Sequence, residues 1–283
     1  MDAGSGDHLP ETDDHRPVIH ATAIVHPGAR VQPGVSIGPY SVVEEGAELL
    51  EGVVLGAHVH IHGCVRLGAR SKVASGAVLG GEPQDVKYKG TPSRVEIGAD
   101  ARIHEHVTVH RATTENGVTQ IGDGVMLMAG SHVAHDCIVG DRAILTNGAM
   151  IGGHSQVGER AILSGGVTVH QYCRVGRLTM LAGGCGIGKD AVPFSIFSGA
   201  LPARWRAPNT IGMRRAGFTQ EERLTLRLAI LDILGRRHPA LEAARRYTDH
   251  SLASVREIAE FVLTAKRGVI LARRGAGGDE LDI

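Results

Sequence analysis

From Ile19 to Ile187, nearly every sixth residue is aliphatic. Of the 29 positions between 19 and 187 taken in steps of six, 26 are Ile, Val or Leu; the misses are Asp85, Thr91 and Glu115. A chain that is 42% hydrophobic does not produce such a column by chance. A second column runs beside it. Two residues ahead of each aliphatic stands a small or β-branched residue, as at Ala23, Ala29, Val35, Ser41 and Ala47, and later at Ser131, Ala143 and Ala161. Side chains two apart on a strand share a face, so both columns point inward. A six-residue period of this kind is the signature of a parallel β-helix. Three hexads make a triangular coil of about 18 residues, and coils stack about 4.8 Å apart. No coil can bury a core alone, so stability comes from stacking. Phe, Tyr and Trp together number only nine, so the core must be aliphatic.

The register breaks twice. Residues 81–96 carry prolines and charges, and residues 112–118 include Thr113-Thr114-Glu115-Asn116-Gly117. Both read as loops thrown out from the coils, and loops on a rigid scaffold commonly carry function. The hexads stop after about Pro193. The sequence therefore divides into an acidic, disordered tail over 1–18, a β-helix over 19–198, a connector and helical domain over 199–273, and a flexible tail over 274–283. In the helical part, Thr219 with Glu222 forms a capping box. Leu224, Leu228 and Leu231 are expected to form the apolar face of the helix that follows. Ser254 and Glu257 suggest a further helix start. Ten arginines against four acidic residues between 201 and 247 make this part basic, which fits a solvated helix surface and a dock for an acidic partner equally well.

Thirty basic and thirty acidic residues leave no net charge, which argues against a nucleic-acid binder. No run of eighteen apolar residues exists, so no integral membrane span is expected. No signal peptide is evident. Four cysteines without a CxxC pair fit the reducing cytoplasm. Three of them, Cys137, Cys173 and Cys185, fall in the small inward column and read as core; Cys64 does not.

Sixteen histidines remain to be explained. The spacings from His135 to His154 and from His154 to His170 are both close to one coil, so the three are expected to form a column along one edge. Asp136 follows His135. Such a set could supply a general base near neutral pH. It could equally bind zinc with an open fourth position, and spacing alone does not choose.

The runs Ser131-His132-Val133-Ala134-His135-Asp136-Cys137, Gly152-Gly153-His154, Val169-His170-Gln171-Tyr172-Cys173 and Pro83-Gln84-Asp85-Val86-Lys87-Tyr88 resemble the acyl-carrier-protein–UDP-N-acetylglucosamine O-acyltransferase family. The resemblance spans roughly 19–270. It implies an all-β, left-handed parallel β-helix with a small C-terminal α-helical domain. It also implies transfer of a 3-hydroxyacyl chain from acyl carrier protein to the 3-hydroxyl of UDP-N-acetylglucosamine, the first step of lipid A biosynthesis. By the same resemblance His135 is the general base with Asp136 beside it, and the Gly153 backbone N–H is the oxyanion donor. Asp85, Lys87, His132, His154, His170, Gln171, Asn209 and Arg215 match substrate contacts. Gly183, with Met180 near, matches the end of the acyl groove. No cofactor and no metal are implied, and the assembly that the resemblance implies is a cytoplasmic homotrimer with its site between subunits. One departure is Arg214-Arg215-Ala216-Gly217-Phe218, where the family usually has two basic residues directly before the Gly-Phe pair.

Two alternatives stand beside this one. One is a γ-class, zinc-dependent carbonic anhydrase-like enzyme, which also uses hexads and histidines. The other is a hexapeptide N- or O-acyltransferase acting on a related 3-amino nucleotide sugar.

Overall fold

The inward columns require each coil to lay its three hexads on three separate sheets, and the pairing does so. A computed structural model describes residues 16–272. Most of the expected N-terminal tail and all of the C-terminal one lie outside the described residues. Val18–Ile19 already pairs with Ser36–Ile37, so the first coil starts one residue ahead of the expected boundary. Among the described residues the strands form sheets of 11, 9 and 8 strands; along the coils each strand pairs in parallel with the one three places along the chain, and the last two strands of the 11-stranded sheet close it as an antiparallel pair. This is the left-handed parallel β-helix with a small helical C-terminal part.

The aliphatic column is the core. Ile37, Leu49, Leu55, Ile61, Leu67, Leu127 and Leu145 are among its fully buried side chains. The small column is buried with it, including Ser41, Ala47, Ser131, Cys137, Cys173 and Cys185. The three cysteines are therefore packing residues, and burial pushes their thiols up, to about 12 for Cys137 and about 11 for the other two.

The breaks in sequence do not break phase. An ordinary coil pairs Ile37 with Leu55, a step of three hexads. Leu79 pairs with Val109, a step of five hexads, and Val109 pairs with Val133, a step of four. Insertions that are whole hexads leave the inward column aligned beyond them. Both insertions leave the coil at one corner, where the chain passes from the 9-stranded to the 8-stranded sheet.

The outer faces differ. The 8-stranded sheet carries a charged ladder in register, Arg30, Glu48, Arg66 and Glu96, with Arg30 and Glu48 paired. The 11-stranded sheet instead presents Met126, Ile144, Ile162 and Met180 in one outward column. The 9-stranded sheet presents Val78, Thr108, His132 and Met150.

A hairpin of Ser195–Ser198 with Arg204–Pro208 closes the C-terminal end, and Phe194 and Phe197 plug it. Among the described residues four helices follow: α1 (Thr210–Arg215), α2 (Gln220–Leu234), α3 (Ala240–Arg245) and α4 (Ala253–Leu263). The capping box at Thr219 and Glu222 forms. The expected apolar face of α2 is corrected: Leu224 and Leu228 are exposed, whereas Leu226, Ala229, Ile230, Ile233 and Leu234 are buried. The face differs because α2 packs against both α3 and α4, and the helical period admits either stripe. The start of α4 is also corrected, to an N-cap at Leu252. Ser254 and Glu257 do not cap it; they hold Arg177 of the β-helix, with Nε 2.7 Å from Glu257 Oε2 and Nη2 donating to Ser254 Oγ at 3.1 Å. Arg174 makes a second clamp, to Asp190 and to the Phe261 carbonyl.

Candidate active site

His135 follows strand His132–Val133 at the corner that throws out both loops. Its Nδ1 lies 2.8 Å from Asp136 Oδ2. The Asp136 carboxylate is held in turn by Thr113, whose backbone N–H and hydroxyl donate to Oδ2 at 3.1 and 2.7 Å. Thr113 lies on the loop one coil below. Burial alone would raise the Asp136 pKa, but the bonds from Thr113 and His135 outweigh it and hold the carboxylate below its usual range. An ionised Asp136 fixes the proton of His135 on Nδ1. Nε2 makes no hydrogen bond among the described residues, so its lone pair is free.

Gly153 is the residue one coil above His135, and the imidazole lies flat against it. A Cβ built at Gly153 would fall 2.4 Å from His135 Cε1 and 2.6 Å from Nε2. The absent side chain is therefore space that the ring occupies. The Gly153 N–H donates to no backbone carbonyl among the described residues.

The expected column of three histidines is corrected. His154 meets His135 edge-on, with centroids 5.2 Å apart, and its Nε2 is 3.7 Å from Asp136 Oδ2. The next member is Tyr172, stacked on His154 at 4.6 Å and 3°. Asp136, His154 and Tyr172 hold the same position in three successive coils, each a full coil from the next. His170 stands two places off that register, is exposed, and turns its Nδ1 to the Gln171 carbonyl at 3.0 Å. A zinc site made of His135, His154 and His170 is thus not assembled. The group close enough to share an ion is His135, Asp136 and His154, and there the Asp136 oxygen already takes both Thr113 donors.

His132 lies beside the dyad, its Nδ1 2.7 Å from Thr108 Oγ1. Its ring meets the buried His110 edge-on at 4.7 Å. Burial, with help from His132 and His135, pushes His110 down to about 4, so it is neutral. Burial likewise lowers His132.

Asp85 and Lys87 sit on the loop at this corner, two coils toward the N-terminus. Asp85 Oδ1 accepts from the Lys87 backbone N–H at 2.8 Å, and the Lys87 side chain is solvent-exposed. Arg111 ties the loop down through Tyr88 and Glu82. No hydrogen bond joins Asp85 or Lys87 to His135 among the described residues.

The remaining expected residues lie elsewhere on the chain. Gly183 is at the corner between the 11- and 9-stranded sheets, and Met180 is on the strand of the 11-stranded sheet that leads into it. Gly183 has room for a side chain, with only the Gly165 carbonyl 3.6 Å from a built Cβ. Asn209 is at the third corner. It caps α1 by accepting from Gly212 N at 2.9 Å, and it donates to the Leu178 carbonyl at 2.8 Å. It is buried, so its first role is structural. Arg215, on α1, is exposed. One chain therefore spreads the expected residues over three corners.

Sequence reasoning misses Thr113 and Tyr172. Tyr172 is available from strict coil-length arithmetic on Asp136. Thr113 has only the weak signal of lying in a loop one coil before the His-Asp pair.

Comparison with known proteins bears on this geometry. Residues 190–270 match the family model for UDP N-acetylglucosamine O-acyltransferase domain 2, and residues 119–153 match that for the bacterial transferase hexapeptide. An acyl-[acyl-carrier-protein]–UDP-N-acetylglucosamine O-acyltransferase of Thermodesulfovibrio yellowstonii is 39% identical over 89% of this chain and 98% of its own. One from Azorhizobium caulinodans is 52% identical over 76% of this chain and 80% of its own. The solved UDP-N-acetylglucosamine acyltransferase of Campylobacter jejuni superposes with a TM-score of 0.85 at 34% identity, covering 90% of this chain and 100% of that one.

Proposed function

The chain belongs to the acyl-[acyl-carrier-protein]–UDP-N-acetylglucosamine O-acyltransferase family and is an acyltransferase, and from that premise we propose that His135 is the general base that lets the 3-hydroxyl of UDP-N-acetylglucosamine attack a 3-hydroxyacyl thioester of acyl carrier protein. This transfer is the first step of lipid A biosynthesis. The observation that carries the role is the His135–Asp136 dyad, whose geometry leaves Nε2 free at the surface of Gly153.

The steps follow from those atoms. A sugar hydroxyl is a weak nucleophile until a base takes its proton during attack. Nε2 accepts that proton as the sugar oxygen bonds to the thioester carbon. Asp136 stabilises the imidazolium so formed, and the carbonyl electrons move onto oxygen. The Gly153 N–H is suited to hold that oxyanion. Collapse re-forms the carbonyl and breaks the C–S bond, and the departing thiolate takes the proton from His135. No covalent enzyme intermediate is required, in keeping with three cysteines buried in the core.

Asp85 and Lys87 are assigned to the sugar nucleotide, from a loop at the same corner. His132, His154, His170 and Gln171 are assigned to the surrounding wall, with Arg215 and Asn209 near the nucleotide and Gly183 at the end of the acyl groove. These last residues lie on other corners of one chain. Their dispersal, with the apolar outward column of the 11-stranded sheet, supports a homotrimer in which a neighbouring copy completes the site. Among the described residues no helix is long and apolar enough to cross a membrane. Four free cysteines support a reducing cytoplasmic setting.

The test is direct. Purified protein and His135→Ala are mixed with UDP-N-acetylglucosamine, or its 3-amino analogue, and a panel of 3-hydroxyacyl carrier proteins, and products are read by mass spectrometry. Acylated UDP-N-acetylglucosamine from the wild type, reduced by about 10²-fold or more in a folded His135→Ala, is expected. Product from the variant at the wild-type rate would remove His135 from the role. Product only with the amino sugar would replace the acceptor.

A further inference from the structure

On the corner that bears His135, but three coils toward the N-terminus and on the order of 14 Å away, a second group of side chains converges that the transfer reaction does not use. Glu44 belongs to one coil, and His60 and His62 to the next. Glu44 Oε1 lies 2.8 Å from His60 Nε2 and 3.1 Å from His62 Nδ1. The two imidazoles stack at 4.2 Å, so both rings aim one nitrogen at the same carboxylate oxygen. The three donor atoms lie within 4.8 Å of one another. The other carboxylate oxygen is held by the Gly63 N–H at 3.1 Å, which fixes the orientation of Glu44.

We propose that Glu44, His60 and His62 form a site for one divalent transition-metal ion of the zinc class, clipping two successive coils together. The donor set is two imidazoles and one carboxylate, a combination that zinc and its neighbours accept with a remaining position for water. Geometry favours it too. Metal–ligand bonds of about 2.0–2.1 Å in a tetrahedron place ligand atoms about 3.3 Å apart. The two nitrogen–oxygen separations are close to that, and the two nitrogens lie within 4.8 Å of each other. Each neutral ring keeps a second nitrogen to carry its proton once the first binds metal; neither His60 Nδ1 nor His62 Nε2 is hydrogen-bonded among the described residues. The side chains are half-buried, so an ion can reach them from solvent. Arg111 is the nearby positive charge, and it is engaged by Glu82 and Tyr88. Cys64, two residues beyond His62, points its thiol at the Gly80 carbonyl at 3.4 Å and stays outside the donor set.

The site owes nothing to the acyl transfer, so its test is independent of that assignment. The untagged full chain, stripped with chelator, is titrated with Co²⁺ and followed by visible d–d absorption; Zn²⁺ is then used to displace it. One Co²⁺ per chain is expected. Glu44→Gln and His62→Gln should each weaken uptake by about 100-fold or more, at least the effect of losing an outer-shell partner. His154→Gln should leave uptake unchanged. Zn²⁺ should raise the melting temperature of the wild type and not of the two variants, because an ion that binds only the folded chain stabilises it. Should His62→Gln fail to fold, Glu44→Gln alone decides. No uptake by the wild type, or uptake that survives both substitutions, overturns the proposal. Loss on His154→Gln with retention on Glu44→Gln places the ion at the His135 cluster instead and also overturns it.

Discussion

Gly153→Ala isolates the position of His135 from its chemistry. Gly153 does not occupy the left-handed backbone region, so alanine meets no conformational barrier there. Its Cβ does meet the ring, at 2.4 Å from Cε1, 2.6 Å from Nε2 and 3.0 Å from Nδ1. Carbon contacts settle near about 3.5–4.0 Å, so the imidazole must retreat by about 1 Å or more. All three of the nearest atoms belong to one side chain, which can turn about its own torsions while the coil stays put. A retreat of that size breaks the 2.8 Å bond to Asp136. It also moves Nε2 out of line, and misplacement of about 1 Å costs about 10²-fold in rate, or about 2.7 kcal/mol of barrier. The assay is turnover with the acyl carrier protein substrate, alongside thermal unfolding, in Gly153→Ala, His135→Ala and the double variant. Gly188→Ala, where nothing lies within 4 Å of the new methyl, is the control. The single variant should lose about 10²-fold in turnover and a modest amount of stability. The stability loss should vanish in the His135→Ala background, because the ring that it collides with is gone. Near-normal turnover, or the same destabilisation with and without the imidazole, would refute the reasoning.

Asp136→Asn keeps the shape of the dyad but removes the charge that fixes the His135 proton; turnover should fall by about 10²–10⁴-fold with little change in nucleotide-sugar KM. His110 gives a pH dependence. Its folded pKa, about 4, lies below the ordinary value of 6.5, so the unfolded chain takes up a proton that the folded chain refuses. Stability is full above about pH 6.5 and declines as pH falls toward about 4, by up to about 3 kcal/mol. His110→Leu should flatten that decline in denaturant melts at about pH 7 and about pH 4.5; an unchanged slope would assign the acid sensitivity elsewhere. Arg177→Ala removes the clamp on α4 and leaves Glu257 half-buried without its partner. Because the pair is partly exposed, the loss should be about 1–2 kcal/mol, read as faster hydrogen exchange in 253–263 with the coils unaffected.

The fold was legible because its signal is redundant. Twenty-odd coil positions each repeat the same demand for an aliphatic residue, and the two insertions preserve the phase by adding whole hexads. A mismatch at Asp85 or Glu115 therefore costs the pattern nothing. The helical part lacked such redundancy. Leucines 224, 228 and 231 satisfy a helical period as well as the buried set does, and only packing against α3 and α4 chooses between the two stripes. Ser254 and Glu257 carry a capping spacing, but Arg177, far back in the β-helix, claims both. Local patterns lose to tertiary partners that a short window cannot contain.

The site was legible only in part, and the reason is geometric. The spacings among His135, His154 and His170 are near enough to one coil to suggest a stack, yet in a coil of fixed length a displacement of two places moves a side chain along the edge and out of contact. Strict arithmetic from Asp136 gives His154 and Tyr172, which are in contact with their neighbours in the column. All three have φ near +60°, as do Tyr40, His58 and Arg142 at other turns. The left-handed backbone is thus a property of the coil corners, not strain reserved for catalysis. What distinguishes this corner is the pair of loops, one supplying Thr113 to the dyad and the other placing Asp85 and Lys87 two coils away along the same edge. The repeat provides a rigid edge on which any residue can stand, and the insertions decide which stretch of that edge becomes a site.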